Sequence, residues 1–144
     1  MKIKLIAGGA ALVIAAGAYY LTRGDALEET AKAGPAQGAP IVEVTLPDTL
    51  SAKAEIGKHA FDAVCADCHG QNAAGKMGFG PPLVHKIYEP NHHGDMAFYM
   101  AAQNGVRAHH WKFGDMPAQD GLTKADVAGI VTYVRELQRN NGIN

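Results

Sequence analysis

Both cysteines of the chain lie in one five-residue run, Cys65-Ala66-Asp67-Cys68-His69. Two thiols three positions apart, on one helical turn, can each add across a vinyl group on the same edge of a porphyrin. The imidazole of His69 then lies under the ring, where it can bind the iron from the proximal side. We therefore predict that Cys65 and Cys68 attach one c-type haem and that His69 is an axial ligand of its iron.

Three other uses of the cysteine pair fit the sequence less well. A thioredoxin-like dithiol shares the Cys-x-x-Cys spacing, but it requires a βαβ context and has no need of the histidine. A structural zinc site requires four ligands, and the sequence has no second cysteine pair. A structural disulfide between cysteines so close in sequence is disfavoured, so haem attachment remains the preferred interpretation.

A haem iron that only carries electrons needs a sixth ligand, and a methionine thioether raises its potential. Met116 lies in an irregular loop before Pro117, which fixes the local backbone. A rigid loop carrying one thioether suits a distal ligand. Met77 follows His69 by only eight residues, too few to reach the opposite face of the ring. We predict that Met116 is the sixth ligand.

Other side chains are weaker candidates for that position. Met96 and Met100 lie four residues apart on one face of a predicted helix, which favours packing in the core or against the haem. If Met116 does not bind, then His85, or one of His109 and His110, remains as a substitute ligand.

The periodicity predicts an all-α domain. A first helix is expected over 52–66, with Ile56, Ala60 and Val64 on one apolar stripe. A second is expected over 95–104, with Asp95 as N-cap and Gly105 following its last residue. Residues 70–94 are rich in Gly, Pro and Asn, which indicates loops that wrap the haem.

A third helix is expected over 124–139. Thr123 is its predicted N-cap, and Asp126 three residues later is close to a capping box. The apolar face of this helix consists of Val127, Ile130, Val131, Val134 and Leu137.

The N-terminal segment 1–23 is predicted to be a membrane anchor or an export signal. Lys2 and Lys4 precede an uncharged stretch, Leu5 to Leu21, which reaches the short end of a membrane-spanning helix. The triplet 16–18, Ala-Gly-Ala, fits a cleavage site, so removal of the segment stays open as the alternative. Both interpretations export the rest of the chain.

Three regions follow from this organisation. Residues 24–52 are rich in Ala, Gly, Pro and Glu and are predicted to form a flexible linker between segment 1–23 and a haem domain over 53–144. Residues 55–144 carry eight Lys and Arg against nine Asp and Glu, so strong electrostatic steering toward a partner is not expected. Nothing in the sequence indicates nucleic-acid binding.

The histidines at 92, 93, 109 and 110 have no preferred ligand role. The neighbours His92 and His93, and likewise His109 and His110, resemble metal-binding pairs, but adjacent side chains in an extended loop point apart. Contact with the haem rim or hydrogen bonds within the loops are the favoured roles. Trp111 could donate its N–H to a haem propionate, or it could simply pack.

In this order of features the chain resembles the class I (mitochondrial-type) c cytochromes, and in particular their membrane-anchored bacterial relatives. The resemblance covers about residues 53–140. It is carried by Gly57, Phe61, the Cys-x-x-Cys-His run, Gly70, the run 80–83 (Gly-Pro-Pro-Leu), Asn104, Gly105, Met116, Pro117 and Tyr133. It implies that the Pro81 carbonyl accepts the His69 N–H, and that Gly57 lies against Ile130 and Tyr133 where the first and last helices cross.

The resemblance implies a class I cytochrome c fold, with three to five helices around one covalent haem. It also implies a monohaem electron carrier rather than an enzyme, held at the bacterial inner membrane with its haem domain in the periplasm. Expected partners are a quinol-oxidising complex, a dehydrogenase or a terminal oxidase. Two alternatives remain: a permanently docked haem c subunit of a multi-subunit oxidoreductase, and a five-coordinate haem that binds gas or peroxide.

Overall fold

The computed structural model of the chain describes Tyr19 and residues 34–144. The predicted anchor or signal over 1–23, apart from Tyr19, and the first part of the predicted linker lie outside the described residues. Within the part of the chain that is described, no helix is both long and apolar enough to cross a membrane.

Helices separated by loops form the fold, as the sequence predicts. In residues 34–144 the structure contains no strand, only two isolated bridges between extended residues. The helices are α1 (Ala52–Val64), α2 (Ala66–His69), α3 (Asp95–Asn104) and α4 (Lys124–Asn140), with 3₁₀ turns at Gln71–Ala73 and Lys86–Tyr88. The all-α fold class is therefore confirmed.

The central packing contact is the crossing of α1 and α4. A Cβ atom on Gly57 would overlap the backbone of Gly129, so only glycine allows the two helices to approach this closely. Beside the crossing, the rings of Phe61 and Tyr133 meet edge to face, with 5.6 Å between their centroids. Gly57 therefore lies against the backbone of Gly129 and Ile130, and the position at Ile130 agrees with the crossing that the resemblance implies.

The predicted apolar stripe of α1 is wrong at Ile56, although Ala60 is partly buried and packs against the core. Ile56 is 67% exposed, whereas the buried residues of α1 are Ala54, Gly57 and Phe61. The glycine crossing decides which face is buried, because it brings the backbone of α4 against this side of α1. Four-residue spacing of apolar side chains could not reveal that.

The capping of α4 agrees with the sequence. Thr123 and Asp126 form a full capping box, and the five predicted apolar residues of the helix are all buried. The predicted N-cap of α3 is wrong, because Gly94 is the N-cap and Asp95 is the first helical residue. Asp95 instead accepts a hydrogen bond from Arg135 on α4.

Part of the predicted flexible linker is packed on the helices. The compact unit begins at Gln37 rather than at 53. The backbone N–H groups of Ile41 and Val42 both donate to the Ala74 carbonyl, at 3.1 Å, and Leu50 packs against the core cluster. Backbone hydrogen bonds, which a polar composition does not reveal, hold this segment in place.

Candidate cofactor site

The two cysteines lie at a short break between helices. Cys65 ends α1, with its N–H donating to the Phe61 carbonyl at 2.7 Å, and the single turn α2 carries the chain on to His69. The His69 N–H in turn donates to the Cys65 carbonyl at 2.8 Å. Neither cysteine is in a disulfide, and Cys68 is exposed. One helical turn therefore presents both thiols and the imidazole.

The ionisation of Cys65 argues against thiol redox chemistry. Burial, and secondly the neighbouring Cys68, raise the pKa of the Cys65 thiol from 9.0 to about 11. Redox-active Cys-x-x-Cys pairs instead have a cysteine whose pKa is lowered, since the thiolate is the reactive form. The Cys65 thiol therefore lacks the lowered pKa of a redox-active cysteine.

His69 is held in one tautomer. Its Nδ1 lies 2.8 Å from the Pro81 carbonyl oxygen, which can only accept, so Nδ1 carries the proton. Burial lowers the pKa of His69, and the hydrogen bond to Pro81 partly opposes that effect. The imidazole is thus neutral, with the Nε2 lone pair available to a metal. The partner that the resemblance implies for His69 is confirmed.

Glycines let the loop after α2 fold back onto the cysteine turn. Gly70 has φ +72°, and a Cβ there would overlap the Gly75 carbonyl. A Cβ on Gly80 would lie 2.6 Å from the Cys68 carbonyl oxygen. The loop consequently passes directly against the turn that bears Cys68, and Pro81 follows at the position that reaches His69.

Two residues of this loop have a conformation that the sequence did not indicate. Asn72 and Ala73 have φ of 54° and 58°, in the left-handed region that is uncommon without glycine. The Tyr133 hydroxyl donates to the Asn72 side-chain oxygen at 3.2 Å, and the Leu83 N–H donates to the Ala73 carbonyl at 2.9 Å. The last helix therefore helps to fix the loop that carries Pro81.

Met116 lies in a separate loop that is fastened to the end of α3. The backbones of Met116 and Val106 exchange two hydrogen bonds of 2.9 Å. Gly105 ends α3 with φ +73°, and a Cβ there would lie 2.5 Å from the Met116 carbonyl oxygen. Asp115 accepts a further bond from the Ala108 N–H at 2.8 Å. The Met116 backbone is held on both sides, and its side chain is half-buried.

Met96 and Met100, the two methionines of α3, do not pack in the protein core. Met96 and Met100 are 68% and 51% exposed, and α3 has no buried residue at all. Phe98 and Asp95 both join the helix to α4: the Arg135 guanidinium lies over the Phe98 ring, 4.9 Å from its centroid, and donates to the Asp95 carboxylate. Of the two predicted roles for these methionines, core packing is wrong, and packing against a haem stays a prediction.

Trp111 offers an unpaired polar atom. Its indole N–H is buried and makes no hydrogen bond of normal geometry within residues 34–144. Burial raises the pKa of Tyr88, and a weaker contact from the Trp111 indole partly opposes that effect. His85 meets the Trp111 ring edge to face, with 5.2 Å between centroids. A buried N–H without a partner is costly, so an acceptor from a bound group would stabilise this position.

The chemistry of the side chains described above fits a c-type haem. Two unpaired thiols stand on one turn, and a neutral histidine beside them has its second nitrogen free. The buried Trp111 indole N–H has no acceptor at normal hydrogen-bond geometry in the described part of the chain, and a haem propionate would provide one. No other common cofactor needs two thiols for covalent attachment together with an adjacent imidazole.

Arg135 is a buried residue that the sequence analysis did not single out. Only 6% of it is exposed, and it donates to the Asp95 carboxylate and the backbone carbonyls of Tyr88 and His93. It also donates to the Gln138 side chain at 2.6 Å. The sequence offered one signal for this role, because Arg135 is the one Lys or Arg within the largely apolar stretch 127–137. Arg135 holds the loop 88–93 and the start of α3 on α4.

The histidine pairs come together, contrary to the sequence prediction. His92 and His93 both donate their backbone N–H to the Glu89 carbonyl, so the loop turns and their rings lie 4.7 Å apart. The His109 and His110 rings lie 4.3 Å apart and meet the first pair. Desolvation, and then the charges of His109, His93 and His92, lower the pKa of His110. The predicted extended loop is wrong.

Comparisons with known proteins agree with the donor set. The sequence model of the family described as Cytochrome c matches residues 54–138. A curated relative, the Cbb3-type cytochrome c oxidase subunit CcoP of Azospirillum brasilense, is 34% identical over 105 residues. The match covers 67% of this chain and 32% of that subunit, so the chain spans about a third of its relative's length.

Proposed function

Because the chain belongs to the cytochrome c family, whose cofactor is a covalently attached haem c, we propose that it is a monohaem electron carrier. Cys65 and Cys68 would hold the haem through two thioether bonds, and His69 and Met116 would bind its iron. The haem would supply reversible one-electron chemistry between a donor and an acceptor protein. No substrate is transformed, so no catalytic acid, base or nucleophile is needed.

The single observation that carries this proposal is the bond between His69 Nδ1 and the Pro81 carbonyl, at 2.8 Å. It fixes the imidazole plane and leaves Nε2 for the iron, as outer hydrogen bonds do for ligating histidines generally. The adjoining thiols hold the same turn to the porphyrin edge. The chain thus supplies a proximal imidazole whose tautomer and orientation are set by its own hydrogen bond.

On the distal side of the haem, the chain would keep the Met116 thioether in place and exclude other ligands of the iron. The pair of backbone bonds between Val106 and Met116 and the close packing on Gly105 support that role. An iron with two protein ligands in both oxidation states needs little rearrangement when an electron moves. An iron with two protein ligands also has no free coordination position for a gas or peroxide.

Carbon monoxide binding tests this proposal directly. The reduced, haem-loaded protein is expected to resist carbon monoxide, and the oxidised protein is expected to show the weak red absorption band of a methionine–iron bond. Ready binding of carbon monoxide by the wild type would overturn the carrier assignment in favour of a ligand-binding haem.

We further propose that the haem domain works in the periplasm of a bacterium, attached to the inner membrane by residues 1–23. The similarity to a subunit of a cbb3-type oxidase supports a terminal oxidase as electron acceptor. A quinol-oxidising complex or a dehydrogenase would be the donor. Native protein should fractionate with membranes; a mature chain beginning at Tyr19 would instead support a cleaved export signal.

A second function is favoured by the same relative, since that protein is named as an oxidase subunit. In this alternative, the chain is a haem c subunit docked permanently in a multi-subunit oxidoreductase. Gentle solubilisation followed by purification distinguishes the two. Recovery with an oxidase at fixed stoichiometry favours the subunit, and recovery of the cytochrome alone favours the mobile carrier.

A further inference from the structure

Four histidines meet on the surface of the domain, outside the haem ligands described above. Two come from the turn after Pro90 and two from the loop after Arg107, so the cluster joins segments that are far apart in sequence. His92, His93 and His110 each offer a ring nitrogen, and these three atoms lie within 4.8 Å of one another. Electron transfer through the haem requires none of them.

The spacing within the cluster suits a metal ion. The Nε2 atoms of His92 and His110 are 3.4 Å apart. Two nitrogens bound to one zinc ion at about 2.0–2.1 Å in tetrahedral geometry are separated by roughly 3.3–3.4 Å. The same distance is long for a direct hydrogen bond between two rings, for which about 2.7–3.2 Å is usual with a nitrogen donor.

His93 is oriented as a ligating histidine would be. Its Nδ1 lies 2.7 Å from the Ile87 carbonyl oxygen, which can only accept a proton. Nδ1 therefore carries the hydrogen and Nε2 keeps its lone pair. Histidine ligands commonly have such an outer hydrogen bond, because it fixes the tautomer and the ring plane.

The backbone beneath the cluster is held firmly. The buried Arg135 guanidinium donates to the His93 carbonyl, and the Glu89 carbonyl accepts from both His92 and His93. His109 is tied to its own loop through Nδ1 and the Arg107 carbonyl, at 2.8 Å. These contacts keep one side of the cluster fixed, so an ion would need small side-chain movements only.

We propose that His92, His93 and His110 form a surface site for a divalent metal ion that prefers imidazole, with Zn²⁺ as its representative. Three neutral imidazoles suit zinc and its neighbours copper and nickel, whereas calcium and magnesium require oxygen ligands. The fourth coordination position is left to water or to His109, whose ring lies 4.3 Å from that of His110. The site is distinct from the cysteine turn and from Met116.

Titration of the full-length, haem-loaded protein with Zn²⁺ tests the proposal. After treatment with a chelator, calorimetry should show one ion bound per chain, and metal analysis after dialysis should give the same ratio. His92→Gln and His110→Gln should each weaken binding by more than the roughly 10- to 100-fold that loss of an outer-shell partner costs. His59→Gln is the matched control, since His59 is exposed on α1 and outside the cluster.

The haem absorption spectrum shows whether a variant is folded. We expect all three variants to keep the wild-type spectrum in both oxidation states, and only the two cluster variants to lose zinc. Failure of the wild type to bind zinc would overturn the proposal. Equal binding by the wild type and His92→Gln, or an equal loss in His59→Gln, would overturn it as well.

Discussion

At the scale of single residues, the proposed site depends on groups that permit only one local geometry. The Pro81 carbonyl oxygen accepts but never donates, so it decides which nitrogen of His69 is protonated. Gly105 and Gly80 have no side chain, so the Met116 and Cys68 backbones can lie directly against them. Each choice removes an alternative geometry, so the backbone and side-chain contacts of the proposed ligands His69 and Met116 are restricted in the folded domain.

Replacement of Met116 by alanine should lower the reduction potential and open the distal side. A thioether stabilises ferrous iron, so its loss should cost a sizeable part of the roughly 0.8 V range that axial ligands command. Redox titration measures the fall, and carbon monoxide should then bind the reduced variant. Met100→Ala is the control, because Met100 is 51% exposed on α3 and should leave the potential near that of the wild type. An unaltered potential in Met116→Ala would contradict the assignment.

Loss of Cys68 should impair attachment. In Cys68→Ala the haem can be held by one thioether only, and the domain loses part of the anchoring that fixes its core. We expect a shifted spectrum of the reduced haem, or no haem and a largely unfolded chain by circular dichroism. A stable, fully folded protein without haem would contradict the view that the ring is central to the fold.

At the scale of helices, the crossing of α1 and α4 places the cysteine turn. Gly57→Ala would force a Cβ into the Gly129 backbone, where no side chain can move aside. Overpacking of this kind typically costs about 1–3 kcal/mol, and the helices would have to separate. Thermal unfolding of the haem-loaded protein should show a clear decrease in Tm. Gly34→Ala, whose Cβ meets no atom of the described residues within 4 Å, should leave the Tm unchanged.

The capping box of α4 should make stability depend on pH. Hydrogen bonds from the Thr123 side chain, and secondly from its backbone, lower the pKa of Asp126 below its ordinary value of 3.8. A carboxylate with a lowered folded-state pKa stabilises the protein above that ordinary value, and the contribution is lost as the pH falls through the folded pKa. Asp126→Asn should therefore unfold at a lower temperature than the wild type at pH 7. The difference should shrink below about pH 4; a constant difference would exclude the ionised cap.

Helices with local signals could be predicted well from the sequence, and contacts between distant segments could not. The last residue of α3 and the first residue of α4 follow from Gly105 and from the Thr123 cap, because both signals act within one turn. The buried face of α1 was predicted wrongly because it depends on Gly129, seventy-two positions after Gly57. The histidine cluster was missed for the same reason, since its two halves come from separate loops. Cys65, Cys68 and His69 could be proposed as haem-binding residues from the sequence because their chemistry is contained in five consecutive residues.

At the scale of the whole molecule, the haem domain includes more of the chain than its helices. The segment 37–51 is bound to three places: the loop after α2 through Ala74, the core through Val44 and Leu50, and the end of α4. Its last residue, Ser51, both caps α1 and donates to the Glu136 carboxylate on α4. The segment thereby joins the first and last helices outside their direct crossing.

Two truncations, each exported with a cleavable signal, would locate the true start of the domain. A chain beginning at Gln37 keeps every contact of the segment described above, so its haem spectrum and Tm should match those of the full-length protein. A chain beginning at Ala52 loses the bonds between Thr45 and Asn141, the N-cap of α1 and the packing of Leu50. For a domain of this size each kcal/mol lost lowers the Tm by roughly 4–8 °C, so the shorter chain should unfold many degrees earlier. Equal Tm values for the two truncations would mean that the segment is only a tether, as its composition alone predicts.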